Sequence, residues 1–304
     1  MSVVFLSIVI GVLLLPIIRE IGLSGKVSMI ASRALTVLAY IVIFLVGFIS
    51  GNAVKSPMVA LSVVALSLLM SVVAMLSSFA VAVAVTRILQ PRYPVAGAPG
   101  SLGSTGLSFT PVRAVVVLVA GGALGVFTTS YISKSVLDHV LYYLVAVLVF
   151  AAILSLSSEL EGIRESIGFV GLGAVLAATT MVSSGLSLLV FQPVARIGPR
   201  VLVAIGAASG WYSLVGPLLA TINPLYGLIG FLANMFRESL HILLYPLASA
   251  KGYALPAVAM GGATSMDTGL PVIAIYGDKA AMLTGMIQGV VITLAAPLVL
   301  SLLV

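Results

Sequence analysis

The chain has 304 residues, of which 61% are hydrophobic and only 7% are charged, and its mean hydropathy is +1.29. A soluble globular protein carries about 25% charged residues, so this composition excludes a soluble fold and predicts an all-α polytopic membrane protein. The net charge of +6 comes from basic residues scattered singly along the chain, so we expect no nucleic-acid partner. Because cysteine is absent, disulfides and thiolate metal sites are excluded.

Six apolar segments come first, and each can cross a hydrocarbon core of roughly 30 Å as a helix. They lie at 2–18, 34–54, 57–86, 112–133, 137–157 and 166–191. Residues 91–111 are rich in proline, glycine and serine, so we predict an irregular cytoplasmic linker there. The linker separates helices 1–3, within 1–90, from helices 4–6, within 112–200.

The last third of the chain, 201–304, differs from the rest because two of its apolar stretches are interrupted. The stretches 224–250 and 280–303 are continuous. The stretches 201–220 and 254–276 contain "GAASGWYSLVGP" and "GGATSMDTGLPV". The residues that we expect to break these helices are Gly206, Gly210, Gly261, Gly262, Gly269 and Pro271.

The two interrupted stretches align weakly at an offset of 55 residues, which places Gly206 over Gly261 and Gly230 over Gly285. A repeat made of one re-entrant segment and one full helix crosses the membrane once, so consecutive repeats have opposite orientation. We therefore predict about eight transmembrane helices plus two opposed re-entrant segments, the inverted-repeat architecture of secondary transporters. Ten full spans are the alternative.

The basic residues divide unequally among the predicted loops. The first, third and fifth loops carry seven of them: Arg19, Lys26, Arg33, Arg87, Arg92, Arg113 and Arg164. The second and fourth loops carry Lys55 and Lys134, and the stretch after the sixth helix adds Arg196 and Arg200. Since basic loops stay in the cytoplasm, we predict a plasma-membrane protein with both termini outside.

Asp267 is an acid within an interrupted apolar segment. A carboxylate in hydrocarbon costs at least about 2.5–3.5 kcal/mol on insertion scales, so it needs a ligand or a partner. The neighbouring hydroxyls of Thr264, Ser265 and Thr268 either satisfy opened backbone groups or contribute to the site. The coincidence of a break and an acid predicts an ion- or substrate-binding site, although Asp267 could also serve only as a helix cap.

A second polar cluster, "NMFRESLH" at 234–241, falls near the middle of the predicted helix 224–250. Asn234, Glu238 and His241 share one helical face, and Arg237 lies beside it. We predict a substrate- or ion-binding site at Glu238 and Asn234, with Arg237 and His241 in support. An ion pair between Arg237 and Glu238 is the alternative, but sequence neighbours point about 100° apart on a helix. We expect His241 to be a hydrogen-bonded core histidine rather than a proton relay.

Trp211, Tyr212 and Ser213 occupy the other interrupted segment. Aromatic residues often mark the membrane interface, and these residues either do so or line the binding site. No phosphate-binding loop, metal-ligand cluster or catalytic triad is recognisable in the sequence. We therefore predict a transporter and not an enzyme, with no cofactor.

The blocks "AASGWYSL", "FLANMFRE" and "GGATSMDTGLPV", followed by a glycine-bearing final helix, resemble the lysine exporter family of the LysO type over about 200–300. The resemblance implies export of L-lysine and toxic lysine analogues from the cytoplasm, driven by an ion gradient. It also implies an acid in the second helix, whereas "FLVGFISGNAV" (44–54) offers only Ser50 and Asn52.

The charged groups of lysine are complementary to the predicted site residues. Its two ammonium groups need acids, which Asp267 and Glu238 supply, and its carboxylate needs donors, for which we expect half-helix N-termini with Ser209 and Thr264. A carboxylate that alternates between proton and substrate would give antiport, with proton or sodium as coupling ion. A cation/proton antiporter using the same acids is the main alternative, and a channel or structural subunit is another. Whether the protein forms a homo-oligomer is open.

Overall fold

The computed structural model describes residues 2–51, 53–54, 56–89, 110–128, 132–157 and 168–304. These residues form helices joined by short turns, and no strand occurs among them. The predicted linker at 91–111 lies almost wholly outside the described residues. The all-α class predicted from composition is thus confirmed for the part of the chain that is described.

We number the helices α1 to α12 in chain order. They are Ser2–Glu20, Ser24–Gly51, Pro57–Leu89, Thr110–Thr128, Lys134–Ser155, Val170–Ser187, Pro199–Ala207, Tyr212–Ala220, Pro224–Ala250, Ala254–Gly261, Leu270–Tyr276 and Lys279–Leu303. A 3-10 turn, Leu188–Phe191, and a helical turn, Gln192–Ala195, join α6 to α7, and a second 3-10 turn, Gly262–Met266, follows α10.

Helix length and composition agree with a multi-pass membrane protein. Five helical stretches among the described residues are long and apolar enough to cross a membrane: Ser24–Gly51, Pro57–Leu89, Ser135–Ser155, Val170–Ala195 and Lys279–Leu303. Many large apolar side chains on their outer faces are exposed, for example Leu61 and Val182. Such faces suit contact with lipid.

The second helix begins ten residues earlier than the sequence predicts. Hydropathy places its start at 34, whereas α2 runs Ser24–Gly51 and includes Lys26 and Arg33. The segment between 24 and 34 contains no proline, so no residue in it prevents the helix from extending beyond its apolar part. Arg113 likewise lies within α4 and not in a loop.

The helices pack as two bundles. The first bundle contains α1, α2, α4 and α5, and the second contains α3 and α6 to α12. Within the first bundle, backbones of α2 and α4 approach so closely that a side chain at Gly51 would lie 3.0 Å from the Val126 nitrogen. Small residues permit this approach, which is common between membrane helices.

The contacts define the two ends of the molecule. Val4 and Val304 line one small cavity, together with Thr221 just before α9, and we call this the terminal end. At the opposite end, the Ser28 hydroxyl at the start of α2 donates to the Ser155 carbonyl at the end of α5, at 2.7 Å. We call this the linker end, because α3 finishes and α4 starts there.

Candidate functional site

The two interrupted segments meet at their breaks. We call residues 208–211, between α7 and α8, the first break, and residues 262–269, between α10 and α11, the second break. The Ala263 N–H donates to the Ser209 carbonyl at 2.8 Å, which joins the two breaks directly. A Cβ at Gly210 would lie 2.8 Å from the Gly261 carbonyl oxygen, and a Cβ at Gly262 would lie still closer to the Ser209 carbonyl oxygen. Gly210 and Gly262 have φ of +96° and +64°, so glycine is needed both for backbone shape and for space.

Asn234 of α9 fixes the first break. Its side-chain oxygen accepts from the Gly210 N–H at 2.7 Å, and its side-chain nitrogen donates to the Ile205 carbonyl at 2.9 Å. The Ile205 carbonyl belongs to the last turn of α7, which leaves its carbonyls without partners inside the helix. Asn234 therefore caps a half-helix and does not lie among the residues that line the cavity described below.

Arg237 holds the second break in place by capping a half-helix, as Asn234 does at the first break. Its guanidinium donates to the Ala259 and Met260 carbonyls at 3.0 and 2.9 Å, and to the hydroxyls of Ser78 and Ser184 at 3.0 and 2.8 Å. Those two carbonyls end α10, where a positive charge is favoured by the helix dipole. The side chain is only 1% exposed, and its donors go to these groups rather than to Glu238.

This network predicts a large stability loss on replacing Arg237 with lysine. A single ammonium group cannot reproduce a planar fork that reaches four acceptors, so we expect destabilisation by about 3 kcal/mol. Thermal unfolding of the purified protein in detergent measures it. Arg200→Lys, at the exposed start of α7, is the matched control and should unfold like wild type. An equal melting temperature for Arg237→Lys would contradict the capping role.

Gln288 of α12 is a residue that the sequence analysis missed. Its side-chain nitrogen donates to the carbonyls of Val258 and Gly262 at 3.2 and 3.3 Å, so it holds the end of α10 as Asn234 holds the end of α7. A signal was present, because Gln288 is an amide in an apolar helix and lies 54 residues after Asn234, close to the offset of the repeat.

His241 lies in the core between the two arms of the second segment. Its imidazole is fully buried and packs edge-on against Tyr245, with ring centroids 5.5 Å apart. A Cβ at either Gly261 or Gly269 would approach the ring to 2.6 Å. Among the described residues neither ring nitrogen has a hydrogen-bond partner, so the predicted hydrogen-bonded core histidine is in the core but not hydrogen bonded.

A cavity of about 380 Å³ lies where the two breaks face the first bundle. This volume falls in the range of about 300–1,000 Å³ that small-molecule sites occupy. The second bundle contributes to its lining Gly210, Trp211, Tyr212, Ser213, Glu238, Ala263, Thr264, Met266, Asp267, Thr268 and Thr293. The first bundle contributes Leu35, Thr36, Ala39, Tyr40, Ile43, Arg113, Ala152 and Ser155.

The two predicted acids both line this cavity. Glu238 is 1% exposed, and the hydroxyls of Tyr212 and Thr268 lie close to its carboxyl group. Its Oε1 atom is buried and has no hydrogen-bond partner among the described residues. Asp267 is exposed, and its carboxylate accepts from the backbone N–H and the hydroxyl of Thr268. One acid is therefore deep in the wall and the other is open to the cavity.

The remaining predicted residues separate into two groups. Trp211, Tyr212, Ser213 and Thr264 line the cavity with the acids. Ser209 and Ser265 do not, because both are fully buried and their hydroxyls donate to nearby carbonyls, Gly206 for Ser209 and Gly262 with Gly285 for Ser265. Pro271 is the second residue of α11, in the first turn, where a helix tolerates proline.

The first bundle supplies polar lining residues that the sequence analysis did not select. Thr36 and Tyr40 share a face of α2, Arg113 lies in the first turn of α4, and Ser155 ends α5. In the second helix, where the resemblance implies an acid, Ser50 instead donates to the Pro224 carbonyl at 3.0 Å, and Asn52 is outside the described residues. The i, i+4 spacing places Thr36 and Tyr40 on one face of α2, but nothing in the sequence shows that this face meets the cavity.

Comparisons with known proteins identify the family. Residues 115–304 match the family model described as lysine exporter LysO. The "Lysine exporter LysO" of Escherichia coli K12 is 28% identical over 130 residues, which are 42% of this chain and 43% of that protein. The "Putative lysine exporter" of Haemophilus influenzae Rd is 33% identical over 99 residues, which are 32% of this chain and 50% of that protein. The matches thus span about half the length of each relative. Since the family model covers more than half of this chain, including both breaks and α9, the chain belongs to the lysine exporter LysO family.

Proposed function

We propose that this protein is a secondary active exporter of L-lysine and close basic amino acids, including lysine analogues, from the cytoplasm. The main support for this proposal is a cavity of ligand size where the two helix breaks meet. Both Glu238 and Asp267 line this cavity. The two carboxylates suit the two ammonium groups of lysine. Hydroxyls of Thr264 and Thr268 line the same space and offer neutral hydrogen-bond partners.

In this proposal the first interrupted segment is re-entrant and enters from the terminal end. A Cβ at Gly230 of α9 would lie 3.0 Å from Leu219 of α8 and 3.6 Å from Ile205 of α7. Both arms thus lie beside the same turn of α9, as the arms of a hairpin do. Leu218 and Thr221, at the end of α8, line the small cavity at the terminal end, which supports a return to that side.

The second interrupted segment would enter from the linker end. The carbonyl of Ala254, at its start, accepts from the Tyr245 hydroxyl at 3.0 Å, and the carbonyl of Tyr276, at its end, accepts from Ser249. Both ends of this segment therefore lie beside the last turns of α9. Gly285 of α12 faces both of its arms, as Gly230 faces both arms of the first segment, which supports an inverted repeat.

With two re-entrant segments, the full spans would be α1 to α6, α9 and α12, eight in all, with both termini on one side of the plasma membrane. The charge pattern would place the linker end in the cytoplasm. The cavity reaches toward that end, since its lining includes Arg113 in the first turn of α4 and Ser155 at the end of α5. An exporter collects its cargo from this side.

Transport would follow alternating access between the two bundles, because the cavity lies at their interface. Movement of one bundle against the other would then expose the acids toward the terminal end. Coupling to proton or sodium antiport would use the same acids, since a carboxylate that releases lysine is free to take a proton or a cation before the return step.

The proposal is tested by counterflow in proteoliposomes. Liposomes loaded with unlabelled lysine should accumulate external radiolabelled lysine, and accumulation should saturate. Excess external lysine or a lysine analogue should compete with the labelled lysine. Cation-dependent proton movement without any lysine counterflow would overturn the proposal in favour of a cation/proton antiporter.

A further inference from the structure

The charged groups of the cavity divide between the two bundles. The acids Glu238 and Asp267 belong to α9 and the second break, in the second bundle. The one basic side chain among the described lining residues, Arg113, belongs to α4 in the first bundle. With both acids ionised, the lining carries a net charge of −1, which complements the +1 charge of lysine.

We propose that Arg113 binds the α-carboxylate of the substrate and makes the site selective for amino acids over amines of the same length. This inference rests on the proposed function, since it assigns the part of the lysine site that faces the first bundle. The planar guanidinium presents paired N–H donors that match the two oxygens of a carboxylate. The ammonium groups of the same molecule would then face Glu238 and Asp267.

The presence of Arg113 argues against a simple diamine as the cargo. The positive charge of Arg113 repels a diamine, whereas an amino acid has a carboxylate that Arg113 attracts. Arg113 is exposed and does not belong to the buried hydrogen-bond network of the breaks. A role in substrate binding therefore explains its position in the cavity lining better than a role in packing does. Substrate held between Arg113 and the acids would also bridge the two bundles.

The test compares L-lysine with cadaverine, which is lysine without its carboxylate. Isothermal titration calorimetry on the full-length detergent-purified protein measures the dissociation constant of each compound for wild type and Arg113→Gln. The expected result is that Arg113→Gln weakens lysine binding by at least about tenfold and leaves cadaverine binding unchanged or tighter. Arg113→Lys should be intermediate, because it keeps the charge but not the paired donors.

Arg200→Gln is the matched control, since Arg200 is exposed but lies outside the cavity lining. It should bind both compounds like wild type. If Arg113→Gln binds lysine as wild type does, or loses lysine and cadaverine equally, the assignment of Arg113 is overturned. A wild-type protein that binds no lysine would instead refute the proposed function itself, so the two failures are distinguishable.

Discussion

Glu238→Gln is expected to lower the initial rate of lysine efflux at least about 100-fold, which corresponds to about 2.8 kcal/mol. The carboxyl group is buried in the cavity wall beside the hydroxyls of Tyr212 and Thr268, and an isosteric amide fits the same space. The amide cannot pair with an ammonium group, so the charge partner of the substrate is lost. Efflux of radiolabelled lysine from loaded proteoliposomes measures the effect.

The same variant should not be less stable than wild type. A buried ionised carboxylate carries a large desolvation cost, and glutamine removes that cost while keeping the shape of the side chain. The melting temperature in detergent should therefore stay the same or rise. Glu20→Gln, at the exposed end of α1, is the control and should export normally. Loss of efflux together with a lower melting temperature would assign Glu238 to folding and not to transport.

Gly262→Ala is expected to disrupt the site by separating the two breaks. A Cβ at this position collides with the Ser209 carbonyl, and a φ of +64° is itself unfavourable for alanine. Strain and overpacking together should cost at least about 3 kcal/mol, because the Ser209 carbonyl is held in place by the Ala263 N–H. We expect the melting temperature to fall by more than about 5 °C and lysine efflux to be lost.

Gly252→Ala separates the two causes of this effect. Gly252 has a φ of +82°, yet a Cβ there would meet no atom within 4 Å, so the variant carries backbone strain without a collision. It should lower the melting temperature much less than Gly262→Ala does and should leave efflux intact. Equal shifts for the two variants would contradict the idea that space between the breaks is limiting.

The sequence predicted the acids and the breaks because each leaves a local signal. An acid such as Asp267 in an apolar stretch is costly, and glycines such as Gly262 that cluster with polar residues and proline indicate a helix break. The shared face of Asn234, Glu238 and His241 followed from helical periodicity alone. What periodicity could not reveal is that Asn234 caps α7 while Glu238 lines the cavity, because that depends on which helix each turn of α9 contacts.

The contribution of the first bundle could not be predicted from the sequence. Arg113 has the same local pattern as any basic residue that flanks a membrane helix, and its place in the cavity depends on the packing of α2, α4 and α5. Tyr40 and Ser155 are ordinary residues for their helices in the same way. The start of α2 was misplaced for a different reason, since hydropathy detects the apolar part of a helix and not its hydrogen-bonded ends.

In the proposed mechanism, Asp267 in the second break serves lysine export. Efflux of radiolabelled lysine from loaded proteoliposomes, measured side by side for wild type and Asp267→Asn, tests it most directly. The side-chain oxygen of the introduced asparagine would retain the contacts to Thr268, so the variant should fold like wild type. We predict saturable efflux for wild type and efflux reduced at least about tenfold for the variant. Saturable efflux that is equal in both proteins, or absent in both, would contradict the account.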